Sequence, residues 1–231
     1  MDIFPDVFVT LPKFSNMKKT ILLLLLAIAG FTVQAQIPNG YYDNANDKTG
    51  DELKTALHNI IHDHTEIGYA NVWTAFWTTD NKGNNVVWDM YSDGTDYTYH
   101  YYPNNNDQCG SYDNEGDCYN REHSWCQSWF GDKSKPRCDM HHIYPTDGKV
   151  NGMRSNYPYG EVKKASWTSQ NGSKLGTPKD DLGYTNSSDN KVFEPIDEYK
   201  GDIARGLFYM SVCYYKSLDR KSGSAGMPRP I

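Results

Sequence analysis

Two short stretches concentrate the polar side chains that can do chemistry. The first is Asn120-Arg121-Glu122-His123-Ser124-Trp125. The second runs from Asp139 through His141, His142, Pro145, Asp147, Lys149, Asn151 and Arg154 to Asn156. Glutamate and asparagine oxygens are hard ligands suited to Mg2+ or Ca2+, ions that keep several waters and bind phosphate as well. A neutral imidazole takes a proton from water near neutral pH. A guanidinium holds two phosphate oxygens at once. Together these groups suit metal-assisted hydrolysis of a phosphodiester. Geometry sets one condition. Neighbours on a regular strand point to opposite faces, so for Glu122 and His123 to serve one phosphate the strand must twist, bulge or end there.

These residues need a frame. Thr49-x-x-Glu52 reads as a capping box, and Leu53, Ala56, Leu57, Ile60 and Ile61 recur at helical spacing, which predicts a helix over roughly 50–63. His58 and His62 lie four apart on it. The run His-Asn-Ile-Ile-His lacks the glutamate of a zinc-protease helix, so both are read as polar-face residues. Residues 72–76 suit a second helix or an edge segment. Residues 86–91 and 97–102, rich in β-branched and aromatic types, predict two strands of a hairpin turning at Ser92-Asp93-Gly94. Residues 104–118 read as a loop. The second polar stretch reads as a strand, a break at Pro145-Thr146-Asp147-Gly148, and a helical turn on which Asn151, Arg154 and Ser155 share a face. Residues 165–190 read as a long surface loop, and Ile203, Ala204, Leu207, Met210 and Ser211 mark a final helix. The expected class is α+β: one mixed domain with helices packed around short antiparallel strands.

Composition narrows the function. Among 231 residues, 29 are acidic and 23 basic, a net charge of −6, which excludes a globally basic nucleic-acid binder but not a local basic groove. Lys133, Lys135 and Arg137 beside the first stretch, with Lys149, Arg154, Lys163 and Lys164 around the second, are candidates for such a groove. Phosphate contacts of that kind weaken with salt. The 38% hydrophobic content is enough for a core, and 18 Tyr with 6 Trp exclude a disordered tail. No heptad or fixed-period repeat occurs.

The start of the chain reads as an address. Met17-Lys18-Lys19-Thr20, an apolar run over 21–29 and Val33-Gln34-Ala35 are the parts of a secretory signal peptide. The run is too short for a mature membrane span. The expectation is a start at Met17, cleavage after Ala35, a mature domain over 36–231 with no membrane attachment, and a secreted or periplasmic location. An oxidising compartment favours disulfides. Cys109 and Cys118 bracket one loop, Cys126 and Cys138 another, and each span can close as a local bridge, although spacing does not fix connectivity. Cys213 is left over. Tight Cys-x-x-Cys pairs of a zinc framework are absent.

At these residues the chain resembles the endonuclease I family of secreted bacterial nucleases, which carry a ββα-metal (His-Me finger) site. The resemblance rests on Asn120-Arg-Glu-His123, on Asp139 through Asn156, and on Phe193-Glu-Pro-Ile-Asp-Glu-Tyr-Lys-Gly-Asp-Ile-Ala-Arg205, and covers most of 37–215. It implies that His123 is the general base and that Glu122 and Asn151 ligate one divalent metal, Mg2+ first, with Mn2+ or Ca2+ as alternatives. Arg137 is the candidate for the phosphate-contacting arginine that relatives supply from the loop between strand and helix. The resemblance also implies hydrolysis of DNA, and of RNA in some members, to 5′-phosphate products with little regard to sequence. Arg121, Lys149, Arg154 and Asn156 are candidate substrate contacts, the last two with the alternative of pinning the helix, while Asp139 and His142 brace the motif. A monomer acting on nucleic acid is expected. Family chains continue past the Ile203 helix, whereas this one turns to Gly/Ser/Pro sequence after Leu218, so a C-terminally incomplete domain is expected. A reading from another class is a non-catalytic secreted glycan-binding module using the tyrosine-rich strands. Chelator sensitivity separates the two.

Overall fold

In the computed structural model of this chain, residues 37–92, 107–131, 133–180 and 190–218 are described. The expected signal segment, the 97–102 strand and the tail beyond Leu218 lie outside them. The chain divides into two compact units, Met1–Asp43 and Asn44–Ile231. In the first, a turn closes where the Tyr41 N–H donates to the Pro38 carbonyl (3.0 Å). The site lies in the second.

Helices α1 (Gly50–Ile61) and α2 (Val72–Thr79) precede strand β1 (Tyr119–His123). Two single-turn helices follow, α3 (Gln127–Phe130) and α4 (Ser134–Arg137), then strand β2 (Ile143–Asp147) and helix α5 (Gly148–Arg154). Next come β3 (Val162–Thr168), β4 (Lys174–Pro178) and β5 (Val192–Glu194). Helices α6 (Asp197–Cys213) and α7 (Tyr215–Leu218) end the described chain. The class is α+β, as expected.

β1 and β2 form an antiparallel ribbon in unbroken register, with Arg121 opposite Pro145, Glu122 opposite Tyr144 and His123 opposite Ile143. Pro145 therefore lies inside a strand rather than breaking one. A two-stranded ribbon has two outer edges, and a proline facing such an edge removes no ladder bond. α5 starts where β2 stops because the Asp147 side chain accepts the Val150 N–H (2.9 Å) as an N-cap. It ends at Ser155, whose φ of 50° leaves the helical region. A close approach fixes what lies over α5: a Cβ on Gly152 would stand 2.5 Å from the Tyr112 hydroxyl, and one on Gly148 would overlap the Cys109 sulfur. The Cys109–Cys118 disulfide loop thus packs on the glycine face of this helix.

Three apolar clusters hold these elements. Val72 and Phe76 of α2 pack with Val87, Tyr119 and Ile143 behind the ribbon. Val150 of α5 meets Tyr91, Leu175, Phe193, Tyr199 and Ile203, joining the second sheet and α6. Trp125, Phe130, Met210, Cys213 and Tyr214 close the far end of α6. Each such buried side chain contributes about 1.5–3 kcal/mol.

Several expectations need correction. Thr49 does precede α1, but its side chain makes no cap bond; its backbone carbonyl accepts the Leu53 N–H instead (3.2 Å). Residues 86–91 form no strand. Val87 makes one isolated bridge to Asn81, and the Asp89 carboxylate then takes the N–H groups of Tyr91 and Ser92 that a ladder would use. The span 165–190, read as a loop, contains the second half of β3 and all of β4, paired antiparallel. Its polar composition arises because most of β3 faces outward. Residues 181–189 lie outside those described.

Candidate active site

Glu122 sits on β1 with only 4% of its surface exposed. Its Oε1 accepts from Arg154 Nη1 (2.7 Å) and from the Tyr91 hydroxyl (3.0 Å). Burial raises the Glu122 pKa, while the Arg154 charge opposes that rise. Arg154 is equally buried. It also donates from Nη1 to the His123 carbonyl (3.1 Å) and from Nη2 to that of Ser124 (2.7 Å), and its guanidinium lies 4.6 Å from the Tyr159 ring centre. These bonds tie the last turn of α5 to β1 and the residue after it. Asn151 lies three residues earlier on α5, hence on the same flank of the helix. It is half-buried, and its side-chain amide makes no hydrogen bond among the described residues.

His123 is the last residue of β1 and gathers a different set of neighbours. Its Nε2 lies 3.1 Å from the Arg137 carbonyl, which can only accept, so Nε2 carries the proton and Nδ1 keeps its lone pair. The ring packs with Tyr69 (5.9 Å), Phe130 (5.8 Å) and His142 (5.6 Å). Burial first, then His142, Arg121 and Arg137, pull its pKa down to about 3, so the imidazole is neutral at physiological pH. No bulge interrupts the ribbon. Of the three conditions set by strand geometry, the bulge is absent, and β1 does end at His123.

Arg121 lies two residues before His123, on the same face of the strand. It donates to the Tyr69 carbonyl (2.7 Å), and its guanidinium carbon stands 3.5 Å from the Tyr69 ring centre. Arg137 approaches the same ring at 4.2 Å. Neither guanidinium is paired with a carboxylate among the described residues. Two cations held by one aromatic ring beside an imidazole make a place for an anion. Tyr69 carries no motif in the sequence, and only the fold reveals its part. The same is true of Tyr91 and Tyr159, whose hydroxyls bond to each other behind Glu122.

The wider basic set is scattered. Lys135 faces Asp63 (3.7 Å) and Lys133 donates to the Ser217 carbonyl. Lys149 is half-buried, Asn156 is exposed, and Lys163 and Lys164 are exposed on β3. Asp139 and His142 are both buried and hydrogen-bonded. Burial works against ionisation of Asp139, yet hydrogen bonds from His141, Tyr214 and Tyr209 hold it well below the usual carboxylate range. His142 donates to the Pro136 carbonyl (2.6 Å) and is pulled down to about 4 by burial.

The cysteines divide unevenly. Cys109 and Cys118 are bonded. Cys126 and Cys138 are both free and buried, so the second expected bridge is not formed. Their thiols face different surroundings: Cys126 lies beside Arg154 and Glu122, and Cys138 near Glu66, Arg137 and Arg121. A separate group, His64, Asp139 and Cys213, brings three potential metal-donor atoms within 4.8 Å of one another.

Comparison with known proteins gives the family of the chain. A family model described as Endonuclease I matches residues 49–227. An extracellular ribonuclease of Bacillus subtilis (strain 168) is 35% identical over 199 residues, 82% of this chain and 59% of that protein. One from Bacillus amyloliquefaciens is 36% identical over 179 residues, 75% of this chain and 53% of that protein. Endonuclease-1 of Buchnera aphidicola subsp. Baizongia pistaciae (strain Bp) is 37% identical over 87 residues, 38% of this chain and 32% of that protein. The chain thus spans rather more than half the length of the two ribonucleases. No solved structure matches. No helix among the described residues is long and apolar enough to cross a membrane.

Proposed function

The chain belongs to the endonuclease I family, and from that premise we propose that it is a secreted, metal-dependent, non-specific endonuclease. Its substrates are RNA and DNA, cut to 5′-phosphate products, and it acts as a monomer. The observation that carries the reading is His123: a neutral imidazole at the end of β1, its Nε2–H held by the Arg137 carbonyl. Nδ1 is then the atom that takes the proton from the attacking water. Arg137 and Arg121, held on Tyr69, bind the phosphate oxygens.

Glu122 and Asn151 would hold the divalent metal, Mg2+ first. Their chemistry fits. Both are hard oxygen donors, the Tyr91 and Arg154 bonds to Glu122 fall on Oε1 alone, and the Asn151 amide is unengaged among the described residues. When bound, the ion supplies positive charge to the phosphate and to the leaving 3′ oxygen. Arg154 ties α5, the helix that carries Asn151, to Glu122 and the backbone that follows it. Secretion follows the names of the two Bacillus relatives and the signal-like sequence ending at Ala35.

The test is to incubate the purified chain with plasmid DNA and with RNA in Mg2+, then in EDTA. Degradation that EDTA stops, leaving 5′-phosphorylated ends, is expected. A chain that is folded by circular dichroism and cuts neither substrate overturns the reading.

A further inference from the structure

Three donor side chains from distant parts of the chain meet outside the set assigned to the phosphodiester. His64 follows α1, Asp139 precedes β2, and Cys213 ends α6. Their nitrogen, oxygen and sulfur atoms lie within 4.8 Å of one another. Cys213 Sγ is 3.9 Å from His64 Nδ1, and His64 Nε2 is 3.4 Å from Asp139 Oδ2. Donors around a tetrahedral zinc, at bond lengths of about 2.0–2.3 Å, stand roughly 3.3–3.8 Å apart. The cluster therefore closes on an ion with shifts of about 1 Å. The sulfur lies against Nδ1 and the carboxylate against Nε2, so the His64 ring must turn to present one nitrogen to an ion between them.

Burial and chemistry point the same way. The Asp139 side chain is 2% exposed and Cys213 is buried, while the His64 side chain is 25% exposed and leaves a route from solvent. A thiol, an imidazole and a carboxylate form a mixed donor set that suits zinc; Mg2+ and Ca2+ favour oxygens alone. Tyr214 stands at the remaining corner, its hydroxyl 3.1 Å from His64 Nε2 and 2.8 Å from Asp139 Oδ2.

We propose that His64, Asp139 and Cys213 bind one zinc ion, with water or the Tyr214 hydroxyl in the fourth position, as a clasp that fastens the ends of α1 and α6 to the segment entering β2. Binding converts the Cys213 thiol to a thiolate and releases its proton to solvent. The site shares no residue with the Glu122 and Asn151 pair and does not depend on the nuclease reading. The absence of Cys-x-x-Cys spacing is no obstacle, since the ligands come from three separate elements.

Metal content and cobalt spectra of the full chain test the clasp without any activity measurement. Loaded with Zn2+ and desalted, the chain should retain one ion and melt at a higher temperature than the metal-free chain. Loaded with Co2+, it should show a thiolate-to-cobalt charge-transfer band in the near ultraviolet. Cys213→Ser should abolish the band, and His64→Asn should weaken retention at least tenfold. His64→Asn is the deciding variant if Cys213→Ser fails to fold, because the His64 ring is partly exposed. Asn151→Ala should keep the zinc. Absence of the band in the wild-type chain, equal retention by the wild-type chain and His64→Asn, or loss of zinc in Asn151→Ala would each overturn the proposal.

Discussion

Arg154 Nη1 stands 2.7 Å from Glu122 Oε1, and the two side chains are only 1% and 5% exposed. A buried pair of this kind gains little over a well-packed apolar pair, yet removing one partner leaves a charge stranded in a low-dielectric setting. Arg154→Met should therefore destabilise the fold by about 3–5 kcal/mol. Urea unfolding monitored by tryptophan fluorescence checks this. A loss under about 1 kcal/mol would show that Glu122 has other compensation.

His123 carries the proposed proton transfer. His123→Ala should lower cleavage by about 10²–10⁴-fold while Mg2+ binding, followed by calorimetry, stays largely intact. Near-normal turnover in a folded variant would remove the base role.

Arg121 and Arg137 share the Tyr69 ring and lack carboxylate partners among the described residues. Removing either guanidinium from a bound phosphate should flatten the slope of log affinity against log salt by about 0.7 for single strands or 0.9 for duplex DNA. Binding of Arg121→Ala and Arg137→Ala, measured in EDTA so that nothing is cut, reads that slope. Unchanged slopes would place both guanidiniums off the substrate path.

Cysteine chemistry offers a direct count. The unreduced, denatured chain should expose three reactive thiols, because Cys126, Cys138 and Cys213 are free. Five would mean that Cys109–Cys118 does not form, and one would mean that Cys126 and Cys138 are bridged after all. Reducing the short Cys109–Cys118 loop should lower stability by about 2–3 kcal/mol.

Asp89 gives stability a dependence on pH. It accepts N–H groups from Tyr91, Ser92 and Asp147, yet burial and the neighbouring Asp147 carboxylate push it up to about 8, far above the ordinary carboxylate range. A carboxyl whose folded pKa exceeds its unfolded one binds its proton more tightly in the fold. Its contribution is full below about pH 4 and is lost as pH rises through 8. The stability difference between the wild-type chain and Asp89→Asn should therefore drift with pH across that window, in favour of the variant at the alkaline end. Parallel urea midpoints at about pH 5 and 8 would contradict it.

Much of the candidate site is legible in the sequence because its residues cluster along the chain. Glu122 and His123 are neighbours, and Asn151 falls one helical turn before Arg154, so residue type and spacing alone bring out their chemistry. Helix α1 is legible for the same reason: its apolar residues repeat at the helical period. Local order misleads where side chains take over backbone bonds. Asp89 draws the 86–91 segment out of a strand, and the outward face of β3 makes a true strand look like a loop.

Residue types and near-neighbour spacing carry the α+β class, the family resemblance and the Glu–His pair, since these depend on relationships a few positions apart. Tertiary structure alone decides that Arg154 pairs with Glu122 in the interior, that Tyr69 carries two arginines, that Cys126 and Cys138 stay apart, and that His64, Asp139 and Cys213 meet. Each of those facts depends on which distant elements pack together, and no local period in the chain encodes that.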